Sequence, residues 1–270
     1  MSPVEKKRLD QILVERGFYP TRSRAQAAIM EGKVIVDGRS GVKAGERVIP
    51  DADIEVLEPD CPYVSRGGLK LEGALDAFKI DPTGWNALDI GASTGGFTDC
   101  LLKKGAAHVI ALDVGKGLIA WSIRTDPRVT VVENVNARKL APDQVPGPFD
   151  GIVIDVSFIS LKLIFPNLPS RMKPHGVLLA LIKPQFEAGK GKAPGGVVSD
   201  ANVWRDVLES FTSPDIFASP HHPNLAGFTS SPIHGREGNR EFFGLWKNGI
   251  DPLPETEITL TINNALMHVP

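Results

Sequence analysis

The run Asp89-Ile90-Gly91-Ala92-Ser93-Thr94-Gly95-Gly96-Phe97-Thr98 constrains this chain more than any other stretch. It follows the short apolar pair Ala87-Leu88 and precedes Thr98 to Lys104, which reads as a helix. A strand ending in an acid, then a glycine turn, then a helix is how open α/β sheets hold a nucleotide-like ligand. Glycine lets the backbone come close to the ligand, and the helix start offers free N–H groups. The glycines fall at 91, 95 and 96, so the run is not the dinucleotide fingerprint Gly-x-Gly-x-x-Gly. No Gly-Lys-Ser/Thr follows, so it is not a phosphate-binding loop. An acid-started turn lined by Ser and Thr suits a cofactor without a pyrophosphate, and S-adenosyl-L-methionine is one. Asp89, Gly91, Ala92, Ser93, Thr94, Gly95, Gly96 and Phe97 are its expected contacts.

The rest of the chain keeps the same rhythm. A helix is expected from about Gly68 to Lys79, with Leu71, Leu75 and Phe78 on one face. Strands rich in Val, Ile or Leu are expected at 86–90, 108–113, 129–132, 150–155 and 177–183, and a last one at 241–246. That alternation predicts an α/β fold: a Rossmann-like, mostly parallel sheet with helices on both faces and its last strands reversed. Residues 212–223, rich in Pro, Ser and His, read as loop. Residues 1–58 read as a small α+β module. Leu9, Ile12 and Leu13 share one helix face that Gly17 closes. Thr21 and Ser23 are cap candidates for a second helix through Met30, and Val34 to Val36, Val48 and Ile54 to Val56 are strand-like. Residues 59–64 form a linker marked by Pro59 and Pro62, and the methyl-transfer domain implied below would span 65–249. The tail 250–270 is unassigned, although the alternation Ile258-Thr259-Leu260-Thr261-Ile262 allows an extra strand.

Net charge is −2 over 270 residues, which neither suggests nor excludes a nucleic-acid partner. Its distribution says more: residues 6–47 hold ten Lys/Arg against five acids. Arg8, Arg22, Arg24 and Lys33 are the candidate RNA contacts there, joined by Arg66 beyond the linker. Cys61 and Cys100 have neither metal-ligand nor disulfide spacing, and no metal site is expected. The start of the sequence is charged, and its longest apolar run, Val177 to Ile182, is far too short to span a bilayer. A cytoplasmic protein without a membrane span is the expectation, with its oligomeric state open.

Several charged residues fall where strands should end. Asp113, with Val114 beside it, ends the second strand, where a carboxylate can accept hydrogen bonds from ribose hydroxyls. Asn136, after the third strand, could reach an adenine edge. Asp155 and Lys183 end the fourth and fifth strands and so face the ligand edge of the sheet. A lysine that finishes an apolar strand is uncommon as pure structure. Lys70 and Glu241, taken singly, read as surface charges.

Taken together these segments resemble a known family. Arg22-Ser23-Arg24-Ala25-Gln26-Ala27, Gly32-Lys33-Val34 and Val36-Asp37-Gly38 resemble the small alpha-L RNA-binding module of ribosomal and RNA-modifying proteins. Ser65 to Leu71, Asp89 to Thr98, Asp155 to Ser160, Leu181 to Glu187 and Gly238 to Phe243 resemble the TlyA family, which joins that module to an FtsJ-type methyltransferase domain. The resemblance implies a Lys–Asp–Lys–Glu tetrad at Lys70, Asp155, Lys183 and Glu241. It also implies S-adenosylmethionine-dependent 2′-O-methylation of cytidine in ribosomal RNA, with the RNA or a ribosomal subunit as partner. The family also carries an old haemolysin label. A non-catalytic ribosome-assembly factor and a membrane-active haemolysin are the alternatives. The proton acceptor stays open between Lys183 and a carboxylate-assisted route. Lys116 stands where relatives often have an aromatic residue.

Overall fold

A computed structural model describes residues 6–19, 21–30, 32–56, 61–140, 144–189, 191–235 and 238–267. The chain divides into two units, one up to Cys61 and one from Pro62 onward. Pro59 and Asp60 of the expected linker lie outside the described residues.

In the first unit, β1 (Lys7–Arg8) leads straight into α1 (Leu9–Glu15), and α2 (Arg22–Met30) packs beside it. Gly17 takes φ 77° just past α1, and the Thr21 hydroxyl accepts the Arg24 N–H at the start of α2. β2 (Val34–Val36), β3 (Arg47–Val48) and β4 (Ile54–Val56) complete it, with β1–β3 and β2–β4 antiparallel. Leu9, Ile12, Leu13, Ala25, Ile29, Val34 and Val36 are buried together, so this unit has a core of its own.

In the second unit, α3 (Gly67–Ala77) precedes β5 (Asn86–Ile90), α4 (Gly96–Lys103), β6 (His108–Leu112), α5 (Trp121–Arg124), β7 (Val129–Val132), β8 (Phe149–Ile154) and β9 (Met172–Ile182). Then come α6 (Pro184–Glu187), α7 (Ala201–Glu209), β10 (Asn224–Ser230), β11 (Phe242–Lys247) and α8 (Glu255–Met267). The sheet order is β10-β11-β9-β8-β5-β6-β7. β9, β8, β5, β6 and β7 run parallel, while β10 and β11 are antiparallel to their neighbours. Strand order reverses between β5 and β8, and ligands of open α/β sheets bind at the carboxyl ends beside such a switch.

Three sequence expectations are corrected. The tail does not add a strand: residues 255–267 are helical. Ile262 and Ala265 are buried from one face of that helix. β10 was not expected, because Gly227 and a Pro- and His-rich approach interrupt its pattern. Finally, residues 62–64 are held on the second unit and are not an open connector. The Val64 N–H donates to Asp99 Oδ2 at 2.8 Å, and Lys103 lies over the Tyr63 ring and donates to the Pro62 carbonyl. A Cβ at Gly68 would fall 2.2 Å from the Tyr63 ring, so glycine is what lets α3 start there.

Candidate active site

The glycine turn is built by backbone geometry. Gly91 has φ 86° and Gly95 has φ 96°, values that L side chains rarely adopt. The Gly91 and Ala92 N–H groups both donate to the Leu112 carbonyl, pulling the turn over the end of β6. A Cβ at Gly91 would sit 2.3 Å from the Asp155 carbonyl oxygen, so the ends of β5 and β8 meet there with no room for a side chain. Ser93 takes φ 49°, and its N–H donates to Asp113 Oδ2 at 2.8 Å. The Thr94 carbonyl accepts the Ala120 N–H, which lays the 118–123 segment across the turn.

Two acids frame this turn. Asp89 is fully buried; Oδ2 accepts the Thr98 hydroxyl at 2.6 Å, and Oδ1 is buried with no hydrogen-bond partner among the described residues. Burial pushes its pKa up to about 7, with the Thr98 bond opposing and Asp155 adding to the rise. Asp113 lies one residue past β6 and binds the N–H groups of Ser93 and Gly115. It ties two loops together, and each oxygen keeps acceptor capacity. Val114 beside it is exposed.

Three expected cofactor contacts have other duties. The Phe97 ring is buried and stacks on Phe243 at 6.0 Å, so it belongs to the core. A Cβ at Gly96 would fall 2.2 Å from Ser65 Oγ, so that glycine makes room for the segment before α3. Asn136 uses its Oδ1 to accept the Arg138 N–H, capping a 3-10 turn at Ala137–Lys139.

The four tetrad residues are brought together as two ion pairs. Lys70 reaches from α3 to Glu241 Oε2 at 2.5 Å, and both side chains are largely buried. Lys183 meets Asp155 Oδ1 at 2.6 Å and donates to Ser157 Oγ at 2.9 Å. Phe242 pairs with Ile182, so Glu241 and Lys183 stand at the same end of neighbouring strands. Truncating one member of such a buried pair leaves the other charge uncompensated, at a cost of about 3–5 kcal/mol. Residues 231–235 and 239–240 are shaped around Glu241. The Ser231 N–H donates to the Glu241 carbonyl, and a Cβ at Gly235 would lie 2.1 Å from Glu241 Oε1. Asn239 accepts the Val198 N–H and donates to the Gly196 carbonyl. Arg240 stacks on Trp204 and donates to the last carbonyls of α8.

The expected RNA contacts divide in kind. Arg8 and Arg22 both bind the buried Asp10, which also accepts from Gln26. Arg8 first, then Gln26 and Arg22, hold the Asp10 carboxyl well below the usual range. Arg24 is exposed and Lys33 half-buried in the same unit; in the second unit Arg66 is exposed and donates to the His234 carbonyl.

Sequence reasoning missed Ser157, Phe158 and Glu187. Phe158 has φ 64°, is 88% exposed, and lies 5.0 Å from the Phe186 ring. Its only sequence signal is an aromatic between two serines just past a strand-ending acid. Among the described residues, no group of three or more His, Cys, Asp or Glu could hold a metal. No helix among them is long and apolar enough to cross a membrane.

Fold and site define a methyltransferase: residues 63–247 match the FtsJ-like methyltransferase family, and residues 7–51 match the S4 domain. The 16S/23S rRNA (cytidine-2′-O)-methyltransferase TlyA of Mycobacterium tuberculosis is 45% identical over 242 residues, 88% of each chain. Hemolysin A of Brachyspira hyodysenteriae is 39% identical over 87% of this chain and 97% of its own. A Streptococcus thermophilus structure carrying a haemolysin label superposes with a TM-score of 0.73, at 37% identity over 97% of this chain and 96% of its own. The chain belongs to the TlyA family of FtsJ-like methyltransferases with an S4 domain.

Proposed function

We infer that this protein transfers the methyl group of S-adenosylmethionine to the ribose 2′-hydroxyl of a cytidine in ribosomal RNA. The observation that carries the reading is the pairing of Lys70 with Glu241 and of Lys183 with Asp155 beside the glycine turn. The family supports the reaction class, and the name of the mycobacterial relative supports cytidine in ribosomal RNA. A ribosomal substrate places the reaction in the cytoplasm.

The residues of the turn fit the cofactor. Gly91 and Gly95, both left-handed, fold the turn tightly against Asp155 and the 119–123 segment, and the unpartnered Asp89 Oδ1 awaits a donor. Asp89, Asp113 and Asp155 put three carboxyls at one sheet edge, which suits a ligand bearing a sulfonium and an amino group. Bound there, S-adenosylmethionine supplies an electrophilic methyl group on positive sulfur. Asp113 would hold the ribose of the cofactor, and Ser93 and Thr94 would line its path.

A ribose hydroxyl is a poor nucleophile until its proton is drawn away. Lys183 stands at the mouth of the site and takes that proton in its neutral form. Asp155 lies 2.6 Å from Lys183 and holds it in place by charge. Lys70 and Glu241 neutralise each other and buttress the ribose. Phe158 offers an exposed ring on which the target base could stack, a contact worth about 1–3 kcal/mol per base. Much of the acceleration comes from holding the two reactants in line.

The test is transfer of labelled methyl from S-adenosylmethionine into ribosomal RNA, followed by nuclease digestion to a 2′-O-methylcytidine product. Lys183→Ala should slow it by about a hundredfold or more, with cofactor and RNA affinities nearly intact. Lys183→Arg should not rescue it, because guanidinium stays charged. Near-normal turnover by a well-folded Lys183→Ala protein would overturn the assignment.

A further inference from the structure

The loop after β8 and the segment after β9 are joined at three successive points. Lys183 meets Asp155 and Ser157 at 2.6 and 2.9 Å. One step out, the Phe186 and Phe158 rings lie 5.0 Å apart. Beyond them, Glu187 accepts the Ser160 hydroxyl at 2.6 Å and the Leu161 N–H at 2.8 Å. This outer clasp holds the 155–161 loop in one shape and keeps Phe158 in its left-handed conformation. Such strain persists only where neighbouring contacts over-determine it.

The innermost contact bears on the chemistry. The nitrogen of a neutral lysine has two N–H groups and one lone pair around its bond to Cε. Asp155 Oδ1 lies 2.6 Å from that nitrogen but out of hydrogen-bonding direction, so its charge holds the group nearby without fixing rotation about that bond. The hydrogen bond to Ser157 does restrict it: one N–H is committed to the hydroxyl oxygen, and the lone pair is kept out of that direction. We propose that Ser157 is a positioning residue for methyl transfer: its hydroxyl oxygen accepts an N–H of Lys183 and so turns the lone pair toward the ribose 2′-hydroxyl. This rests on the assignment of Lys183 as the group that meets that hydroxyl. A serine suits the role better than a second acid would, because a neutral acceptor gives direction without another charge favouring the ammonium.

The step balances. The 2′-hydroxyl proton passes to the Lys183 lone pair, and the ribose oxygen's electron pair forms the O–CH₃ bond. The electron pair of the breaking S–CH₃ bond stays on sulfur, which becomes a neutral thioether. Lys183 becomes an ammonium that donates to Ser157 and lies against the Asp155 carboxylate, and Ser157 exchanges no proton. Of the other charged groups at this end of the sheet, Lys70 and Glu241 are already paired with each other, and Asp113 is held by the Ser93 and Gly115 N–H groups.

The experiment uses the full-length protein with Ser157→Ala, Ser157→Thr, Ser157→Val and Lys183→Ala. Single-turnover methylation of ribosomal RNA is measured at saturating RNA and cofactor. Calorimetric affinity for S-adenosylmethionine and melting temperature are measured beside it. Ser157→Ala and Ser157→Val should each lose about tenfold or more in rate, with cofactor affinity within about twofold of the parent. Ser157→Thr, which keeps the acceptor, should stay within about threefold. Thr and Val have nearly the same shape, so their comparison stands even if the alanine variant folds poorly. Parental rates for Ser157→Ala and Ser157→Val beside an inactive Lys183→Ala overturn the role of Ser157 and leave Lys183 standing. Equal losses in Thr and Val overturn it too, because the acceptor is then not what matters. A fully active Lys183→Ala overturns the functional reading itself.

Discussion

At the scale of single residues, Asp89 is the most constrained group at the sheet edge. It lies buried at the end of β5 with one oxygen on Thr98 and the other unpartnered. Its pKa of about 7 in the fold compares with about 3.9 in an unfolded chain. Between those values the folded state holds the proton and the unfolded state does not. Its contribution to stability is therefore fully present below pH ~4 and is lost as pH rises toward 7. Asparagine keeps an acceptor for Thr98 and never ionises. The melting temperature of Asp89→Asn, minus that of the parent, should therefore grow from pH 5 to pH 8. The growth should reflect about 1 kcal/mol or more, since each pKa unit is worth about 1.4 kcal/mol. Melts across that range in the absence of cofactor test it, and a difference that stays flat would mean that Asp89 does not titrate there. The same variant should bind S-adenosylmethionine less well, because the unpartnered oxygen becomes a neutral amide.

At the scale of elements, the parallel core and the reversed strand β11 were legible in the sequence, and the edge strand β10 was not. β5, β6, β7, β8 and β9 are runs of Val, Ile, Leu and Ala, bounded by glycine or ended by a charged residue such as Asp113, Asp155 or Lys183. Strands buried on both faces read this way. The tetrad was legible only through its motifs, since nothing local distinguishes Lys70 or Glu241 from a surface charge. Ser157 and Glu187 were not legible, because their duties depend on how two distant loops meet. β10 and α8 escaped for a related reason. Residues 258–262 alternate with period two, but Ile258, Ile262 and Ala265 also fall on one helix face, and sequence alone does not choose. Tertiary contact decides. α8 packs along β10, and Thr261 Oγ1 accepts the Phe228 N–H at 2.7 Å and donates to the Phe228 carbonyl at 3.1 Å. One side chain thus satisfies both backbone groups of an edge strand that would otherwise invite pairing with another chain. Thr261→Val keeps the shape and removes both bonds. It should cost about 1–3 kcal/mol in chemical denaturation and raise light scattering on heating. An unchanged denaturation midpoint would mean that water serves Phe228 equally well.

At the scale of the whole molecule, the two units divide charge and chemistry between them. Each has its own buried core, and they differ in what their surfaces can do. Residues 6–47 carry the excess of Lys and Arg, although the whole chain is at −2. Arg8 and Arg22 share Asp10, so part of that excess is spent within the unit, and an exposed cation such as Arg24 matters more. The second unit places two mutually neutralised ion pairs at its site, a poor arrangement for attracting phosphates but a good one for positioning a hydroxyl. Affinity and turnover should therefore respond to different variables. RNA affinity should fall steeply with salt, because each phosphate neutralised releases counterions, while the single-turnover rate at saturating RNA should change little. Arg24→Glu should weaken RNA binding, reduce the slope of log affinity against log salt by about one, and leave the saturated rate near the parent's. Lys183→Ala should do the reverse: abolish the rate and keep the slope. The measurement is binding of ribosomal RNA by the full-length variants from about 50 to 200 mM salt, paired with single-turnover methylation at each salt. Equal loss of affinity and saturated rate in Arg24→Glu would show that docking and chemistry are not separable in this chain.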